Sequence, residues 1–260
     1  MKIALAQIRS EIGAVEANCE KFYQLAQVAK TTGCEVIIFP EMSDTGYFPA
    51  SFEQYAGCWP GPAYKAASNS AKDNKINLIC GLSERVGQEV YNSLACFDSS
   101  GQLIGSYRKT HLFSVEPLYE DRFCKAGDQL VVVKINGAKW GLSICYDLRF
   151  PELYRNLTLN GAEILLNCAA WPAVRGDHWS KLIGARAIEN QIFFVGVDRV
   201  GKDNELEMNG CSTVVAPTGE VLAIASSEQE EVLIADLDLT LVNDFRSKIP
   251  AIKSRRSDLY

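Results

Sequence analysis

The tightest constraint on this chain is a set of short apolar runs that have no polar face. Val36-Ile37-Ile38-Phe39 and Ile192-Phe193-Phe194-Val195 carry no polar side chain at alternate positions. A strand with one wet face alternates, so a strand that does not alternate is covered on both sides. Other runs punctuate the chain at similar spacing. Lys2 to Ile8 reads as a first strand. Asn18 is placed to cap a helix reaching about Thr32, with Phe22, Leu25, Ala26 and Ala29 on one face and Gly33 at its end. Gly61-Pro62 opens a second helix. Strands follow at Ile76–Cys80, Tyr91–Asp98 and Gln102–Tyr107, the last two joined by Ser99-Ser100-Gly101.

The stretch from about 109 to 129 shows no period and is long enough to suggest function. Asn136-Gly137 between Leu130–Ile135 and Lys139–Ile144 is a strong hairpin signal. Helices are expected near Pro151–Asn160 and His178–Asn190, with strands at Glu163–Asn167 and Ile192–Val197. Ser212–Ala216, Val221–Ala225 and Glu231–Leu237 read as a closing meander, followed by a polar tail. No linker, repeat or low-complexity tract interrupts the pattern, so one domain over residues 1–260 is expected. Two packed sheets with helices outside suit this α/β order best.

Hydrophobic residues are 47% of the chain and charged residues 22%. That excludes a disordered, collagenous or coiled-coil chain. Lys and Arg number 26 against 32 Asp and Glu, a net charge of −6. Without a positive face, a nucleic-acid partner or an anionic membrane surface is disfavoured. No apolar run reaches the roughly 20 residues of a spanning helix, and Met1 to Ile8 is too short for a signal peptide, so a cytoplasmic location is expected. The nine cysteines include no C-x-x-C pair, and most sit among apolar neighbours. Eight are expected to be reduced core residues. With two histidines, His111 and His178, a histidine-rich metal site is not expected, nor is any cofactor.

Three segments place a reactive side chain directly after a strand-like run: Phe39-Pro40-Glu41-Met42, Tyr107-Arg108-Lys109-Thr110-His111, and Ile144-Cys145-Tyr146-Asp147-Leu148-Arg149-Phe150-Pro151-Glu152. A rigid sheet aims such residues into a common crevice. Cys145, on a sharp turn between a strand and a helix, would have backbone N–H groups and a helix dipole favouring its thiolate. Neither histidine sits in a cysteine-protease signature, so a buried carboxylate such as Glu41 is the candidate base. Lys109 could then meet a developing oxyanion.

These three segments resemble those of the nitrilase superfamily of carbon–nitrogen hydrolases, whose signature is a Glu–Lys–Cys triad. The resemblance falls on Glu41, Lys109 and Cys145, with Glu120 as a second glutamate in the loop after the lysine, and it covers nearly the whole chain. Cys145 to Glu152, Trp171-Pro172-Ala173, His178-Trp179 and Ala185 to Gln191 are similar to the ω-amidase group. One departure is Asp198, in Gly196-Val197-Asp198-Arg199-Val200-Gly201, where the family pattern has asparagine.

The resemblance implies a four-layer αββα sandwich, a homodimer or larger assembly, and a thiol amidohydrolase. Its substrate would be a small carboxylate-bearing amide such as 2-oxoglutaramate or 2-oxosuccinamate. Deaminated-glutathione amidase, N-carbamoyl amidohydrolase and nitrilase activities are the alternatives within the superfamily. Outside it stand an idle binding protein and a papain-like hydrolase. Tyr146, Arg149, Trp171 and Arg175 are the candidate substrate-binding residues. Arg149 either pairs locally with Glu152 or Asp147, or receives a substrate carboxylate, a role for which Arg175 is an equal candidate. His111 is expected to brace the Lys109 loop, and His178 and Trp179 to anchor a helix start.

Overall fold

Both doubly apolar runs lie inside sheets. The structure, a computed structural model, describes residues 1–116, 118–203 and 206–259. In chain order its elements are β1 (Lys2–Gln7), α1 (Val15–Thr31), β2 (Val36–Ile38), α2 (Phe52–Tyr55), α3 (Pro62–Asn74), β3 (Asn77–Val86), β4 (Glu89–Phe97), β5 (Leu103–Arg108), β6 (Val132–Ile135), β7 (Ala138–Ile144), α4 (Pro151–Leu159), β8 (Ile164–Ala169), α5 (Gly176–Asn190), β9 (Phe193–Asp198), β10 (Val200–Asp203), β11 (Leu206–Asn209), β12 (Thr213–Val215), β13 (Val221–Ile224), β14 (Glu231–Asp236) and α6 (Thr240–Lys248). One sheet runs β14-β1-β2-β3-β4-β5 and the other β13-β12-β9-β8-β7-β6, with β10 and β11 a separate hairpin. The runs in β2 and β9 are thus flanked on both sides by neighbouring strands.

The side-chain alternation of the first sheet sorts residues between two layers. Ala4, Ala6, Ile37, Phe39, Leu78 and Cys80 pack with Phe22, Ala26 and Ala29 of α1 and Ala67 and Ala71 of α3. Ile3, Leu5, Val36, Ile38 and Ile79 point the other way, into a core shared with Trp140, Leu142, Ile164, Leu166 and Val195 of the second sheet. Leu153, Leu157, Ile183 and Ala187 of α4 and α5 belong to that same core. The chain is therefore the αββα sandwich that the resemblance implied, and apolar burial on three interfaces is its main driving force.

The central strands of each sheet are parallel, β1-β2-β3 in one and β7-β8-β9 in the other. Parallel strands present their carboxyl ends on one side, where crevices form. Residues following β2, β5, β7 and β8 consequently gather at one end of the sandwich. Gly81 helps to seat one of them. A Cβ there would lie 2.2 Å from the Pro40 carbonyl and 2.7 Å from Glu41 Cα, so only glycine lets the chain after β2 lie flat on β3.

Several elements differ from the sequence reading. Helix α1 starts at Val15 without a side-chain cap, and Asn18 lies buried inside its first turns. Its amide instead accepts from Glu11 N–H and donates to the Glu11 and Asp44 carbonyls, stapling two loops to the helix. The closing meander is broken. β13 stays in the second sheet, whereas β14 crosses to the first and pairs antiparallel with β1, Lys2 facing Asp236. Gln7 holds that crossover by donating to the Ser226 and Gln229 carbonyls and accepting from Ser212 N–H. β3 runs on past Cys80 to Val86, and the polar tail contains α6. The β10–β11 hairpin had no clear sequence signal. All nine cysteines are free, but Cys58 is exposed and Cys19 and Cys211 are half-buried, fewer core thiols than expected.

Asp44 gives the fold a pH dependence. It is almost fully buried and accepts from Ser83 N–H at 3.0 Å and Ser83 Oγ at 2.6 Å. Burial pushes its pKa up to about 6, against the lowering effect of these bonds. The folded chain then holds a proton that the unfolded chain has released, so this group's contribution is full at low pH and fades as pH rises through about 6. Asp44→Asn removes that slope. Relative to wild type it should gain about 2 kcal/mol of stability between pH of about 4 and about 7, as read by urea unfolding at both. An equal difference at the two pH values would show that Asp44 does not titrate in this range.

Candidate active site

Glu41 follows β2, Lys109 follows β5 and Cys145 follows β7. Glu120 comes from a 3-10 turn, Glu120–Arg122, inside the long loop, of which Pro117 lies outside the described residues. All four meet. Lys109 Nζ lies 2.9 Å from Glu41 Oε1 and 2.7 Å from Glu120 Oε2, and none of the three side chains is exposed. Two carboxylates and one ammonium buried together are stable only while every charge keeps its partners.

Further donors complete the network. Asn92 Nδ2 donates to both Glu41 Oε1 (2.6 Å) and Glu120 Oε1 (2.8 Å). Phe113 N–H donates to Glu120 Oε2 at 2.8 Å. Ala170 N–H donates to Glu41 Oε2 at 2.7 Å, and the carbonyl of the same residue faces Cys145 Sγ at 3.9 Å. Glu41 and the thiol are thereby held on either side of one backbone residue.

The charges are strongly coupled. Burial opposes the Lys109 charge, but Glu120 and Glu41 outweigh it and hold its pKa well above the ordinary lysine range. Burial raises the Glu120 carboxyl, with Lys109 opposing and Glu41 assisting. Burial also holds the Cys145 thiol well above its usual range, reinforced by Glu41 and Asp198 and opposed by Lys109. This corrects the expected thiolate. Cys145 heads only a five-residue 3-10 turn, Cys145–Arg149, and the α-helix whose dipole was invoked begins at Pro151. The resting sulfur is a thiol, and chemistry at it needs a base.

The turn itself is sharp. Ile144 is extended (φ −130°), while Cys145 sits at φ 45°, a left-handed conformation costly for a side chain other than glycine. Asp147 clamps it. Its Oδ2 accepts from Ile144 N–H (2.9 Å) and the Tyr107 hydroxyl (2.7 Å), and its Oδ1 accepts from His111 N–H (3.1 Å) and lies 2.8 Å from His111 Nδ1. The His111 ring stacks on Phe150 at 3.7 Å. His111 thus braces the Lys109 loop against the Cys145 turn, as expected, with Asp147 as the unforeseen centre of the joint.

Cys145 lines a cleft of about 310 Å³, partly open to solvent, walled by Tyr47, Phe113, Tyr146 and Trp171 and flanked by Arg149 and Arg175. The Arg149 guanidinium lies 4.8 Å over the Trp171 ring, with its Nη atoms 3.3 and 3.4 Å from His178 Nδ1. Asp147 is turned away from Arg149 towards Tyr107 and His111, so the expected local pairing does not form there. Arg175 lies 5.7 Å over Phe113 and its carbonyl accepts from Trp171 Nε1. Trp179 is buried and donates to the Cys211 carbonyl, anchoring the start of α5. Asn92, Tyr47 and Phe113 escaped the sequence reading. The one available signal was a polar pair, Asn92-Ser93, inside an otherwise apolar strand.

Two outcomes follow from this geometry. Asn92→Ala removes the only side-chain amide shared by the two glutamates among the described residues, and should cost about 1–3 kcal/mol in urea unfolding; a smaller loss would mean that the carboxylates do not depend on it. Alkylation of Cys145 by iodoacetamide should accelerate steadily with pH beyond about 9, the sign of a raised thiol. A rate that levels off near neutrality would show a depressed one.

Comparison with known proteins identifies the family. The carbon–nitrogen hydrolase family matches residues 2–247. The 2-oxoglutaramate amidase of Bacillus subtilis (strain 168) is 36% identical over 227 residues, covering 87% of this chain and 86% of that one. Homo sapiens omega-amidase NIT2 is 32% identical over 265 residues, covering 98% and 96%. A solved variant of the amidase from Nesterenkonia sp. AN1, showing covalent addition of the acetamide moiety of fluoroacetamide at the active site cysteine, has a TM-score of 0.89 at 25% identity and covers 100% of this chain and 95% of that one. The chain is a hydrolase of non-peptide carbon–nitrogen bonds, a member of the carbon–nitrogen hydrolase family within the nitrilase superfamily and similar to ω-amidases.

Proposed function

We propose that this protein hydrolyses a small carboxylate-bearing amide, such as 2-oxoglutaramate or 2-oxosuccinamate, to the acid and ammonia through a thioester on Cys145. The observation that carries this reading is the cleft itself. It joins the thiol to two arginines, Arg149 and Arg175, that form no ion pair with an acid among the described residues, so an anionic group of the ligand is their natural partner. The names of the relatives, 2-oxoglutaramate amidase and omega-amidase, support the same choice over a peptide-like amide.

In this scheme Glu41 takes the Cys145 proton, and the sulfur attacks the amide carbon. Lys109 and the backbone N–H of Tyr146 hold the tetrahedral oxyanion. Glu41 returns the proton to the departing ammonia as the carbon–nitrogen bond breaks. A water deprotonated by Glu41 then attacks the thioester, and the acid and the Cys145 thiol are released. Glu120 orients Lys109 and shares its charge. No cofactor enters the scheme. The reading also takes residues 1–260 as one cytoplasmic domain that assembles as a homodimer or larger. Exposed Val221 and Ile224 of edge strand β13 and Ile188 of α5 support an apolar contact surface.

The test is ammonia release from 2-oxoglutaramate, glutamine and a simple nitrile, by wild type and Cys145→Ala. Release from the oxo-amide, lost in the variant, is the expected result. Replacing the arginine that meets the carboxylate, Arg149→Ala or Arg175→Ala, should lower kcat/KM about 10- to 100-fold for this substrate and spare an amide that lacks the carboxyl. Equal losses on both amides would count against a carboxylate subsite.

A further inference from the structure

One buried acid beside the site takes no part in the scheme above. Asp198 ends β9 and is wholly buried. Its Oδ1 accepts from Trp171 N–H at 2.8 Å, and its Oδ2 has no hydrogen-bond partner among the described residues. Asp198 pairs across the strands with Ala169, so it stands directly beside the end of β8. Its own backbone is pinned through Ser212 Oγ, which accepts from Asp198 N–H and donates to its carbonyl.

The residues it reaches are those on which the site rests. Ala170 N–H is taken by Glu41 and Trp171 N–H by Asp198, two successive peptide groups held by two acids. The Ala170 carbonyl faces the thiol, and the Trp171 ring carries Arg149. A shift of Trp171 N–H would therefore move the thiol's neighbour and the wall of the cleft together.

The charges around Asp198 decide its ionisation. Glu41 faces it from the segment after β2, Cys145 from the turn after β7, and Cys211 from the segment before β12. Arg199 is the neighbouring cation, and its Nη2 is already given to Asp203 (2.6 Å) and the Ser10 carbonyl (2.9 Å). A carboxylate here would leave one oxygen without a donor, fully buried and near a second carboxylate, which is far costlier than a neutral hydroxyl. Burial, with Glu41 assisting, holds its pKa well above the usual aspartate range.

We propose that Asp198 is a positioning residue of the active site, holding the Ala170–Trp171 strand end in place as the neutral acid. The inference rests on the amidase reading for its turnover readout and on geometry alone for its alkylation readout. Two variants separate the terms. Asp198→Ala removes the acceptor for Trp171 N–H, and Asp198→Asn keeps an acceptor but cannot ionise.

Hydrolysis of the preferred amide and iodoacetamide labelling of Cys145 are followed across pH for both. Asp198→Ala should lose at least about tenfold in kcat/KM and change the labelling rate, and Asp198→Asn should recover most of both with the wild-type pH dependence. If Asp198→Ala does not fold, Asp198→Ser, too short to reach Trp171, replaces it. An asparagine variant as impaired as alanine, or one with a displaced pH profile, would show that the charge matters and overturn the proposal. A fully active alanine or serine variant would overturn it equally. Should no amide be turned over by wild type, the amidase reading fails and the labelling series still decides the role of Asp198.

Discussion

The arrangement depends on a single buried cation. Lys109 stands between Glu41 and Glu120 with no access to solvent, and each of its partners is itself buried. Removing Lys109 would leave two carboxylates without a counter-charge in a low-dielectric interior, a loss typically larger than the pairs contribute when intact. The two glutamates come from segments far apart in sequence, so the ammonium also ties the long loop to the end of β2. Asn92, reaching both carboxylates from β4, makes the triangle rigid.

The second support is the joint around Asp147. The Cys145 turn needs a backbone conformation that cysteine does not favour, and the carboxyl of Asp147 compensates by holding Ile144, Tyr107 and His111 at once. Because Tyr107 and His111 flank Lys109 in sequence, the cation and the thiol are referenced to one another through this side chain. The electrostatic balance then sets the state of the sulfur. With Glu41 close and burial complete, the thiol keeps its proton, which suits an arrangement in which a neighbouring carboxylate removes it when an electrophile is present.

Both histidines stand outside the Glu41–Lys109–Glu120 cluster. His111 is a brace and His178 a neighbour of Arg149. Here aromatic rings carry two arginines at the wall of the cleft, Arg149 on Trp171 and Arg175 on Phe113.

Much of this was legible in the chain. The doubly apolar runs dictated covered sheets, Asn136-Gly137 gave its hairpin (both residues have positive φ), and the placing of Glu41, Lys109 and Cys145 directly after strands was readable from the apolar runs before them. Local pattern suffices there because burial on two faces and turn chemistry are properties of a few consecutive residues. Tertiary structure alone decided the rest. Which sheet receives β14 depends on the open edge of β1, not on the strand's own composition. That Asn18 staples loops rather than capping a helix, and that Asn92 bridges two glutamates, depends on partners 26 to 51 residues away. The protonation of Cys145 was misjudged for the same reason: a thiol's ionisation is the sum of its surroundings, and burial and the Glu41 charge exist only once the chain has folded around it.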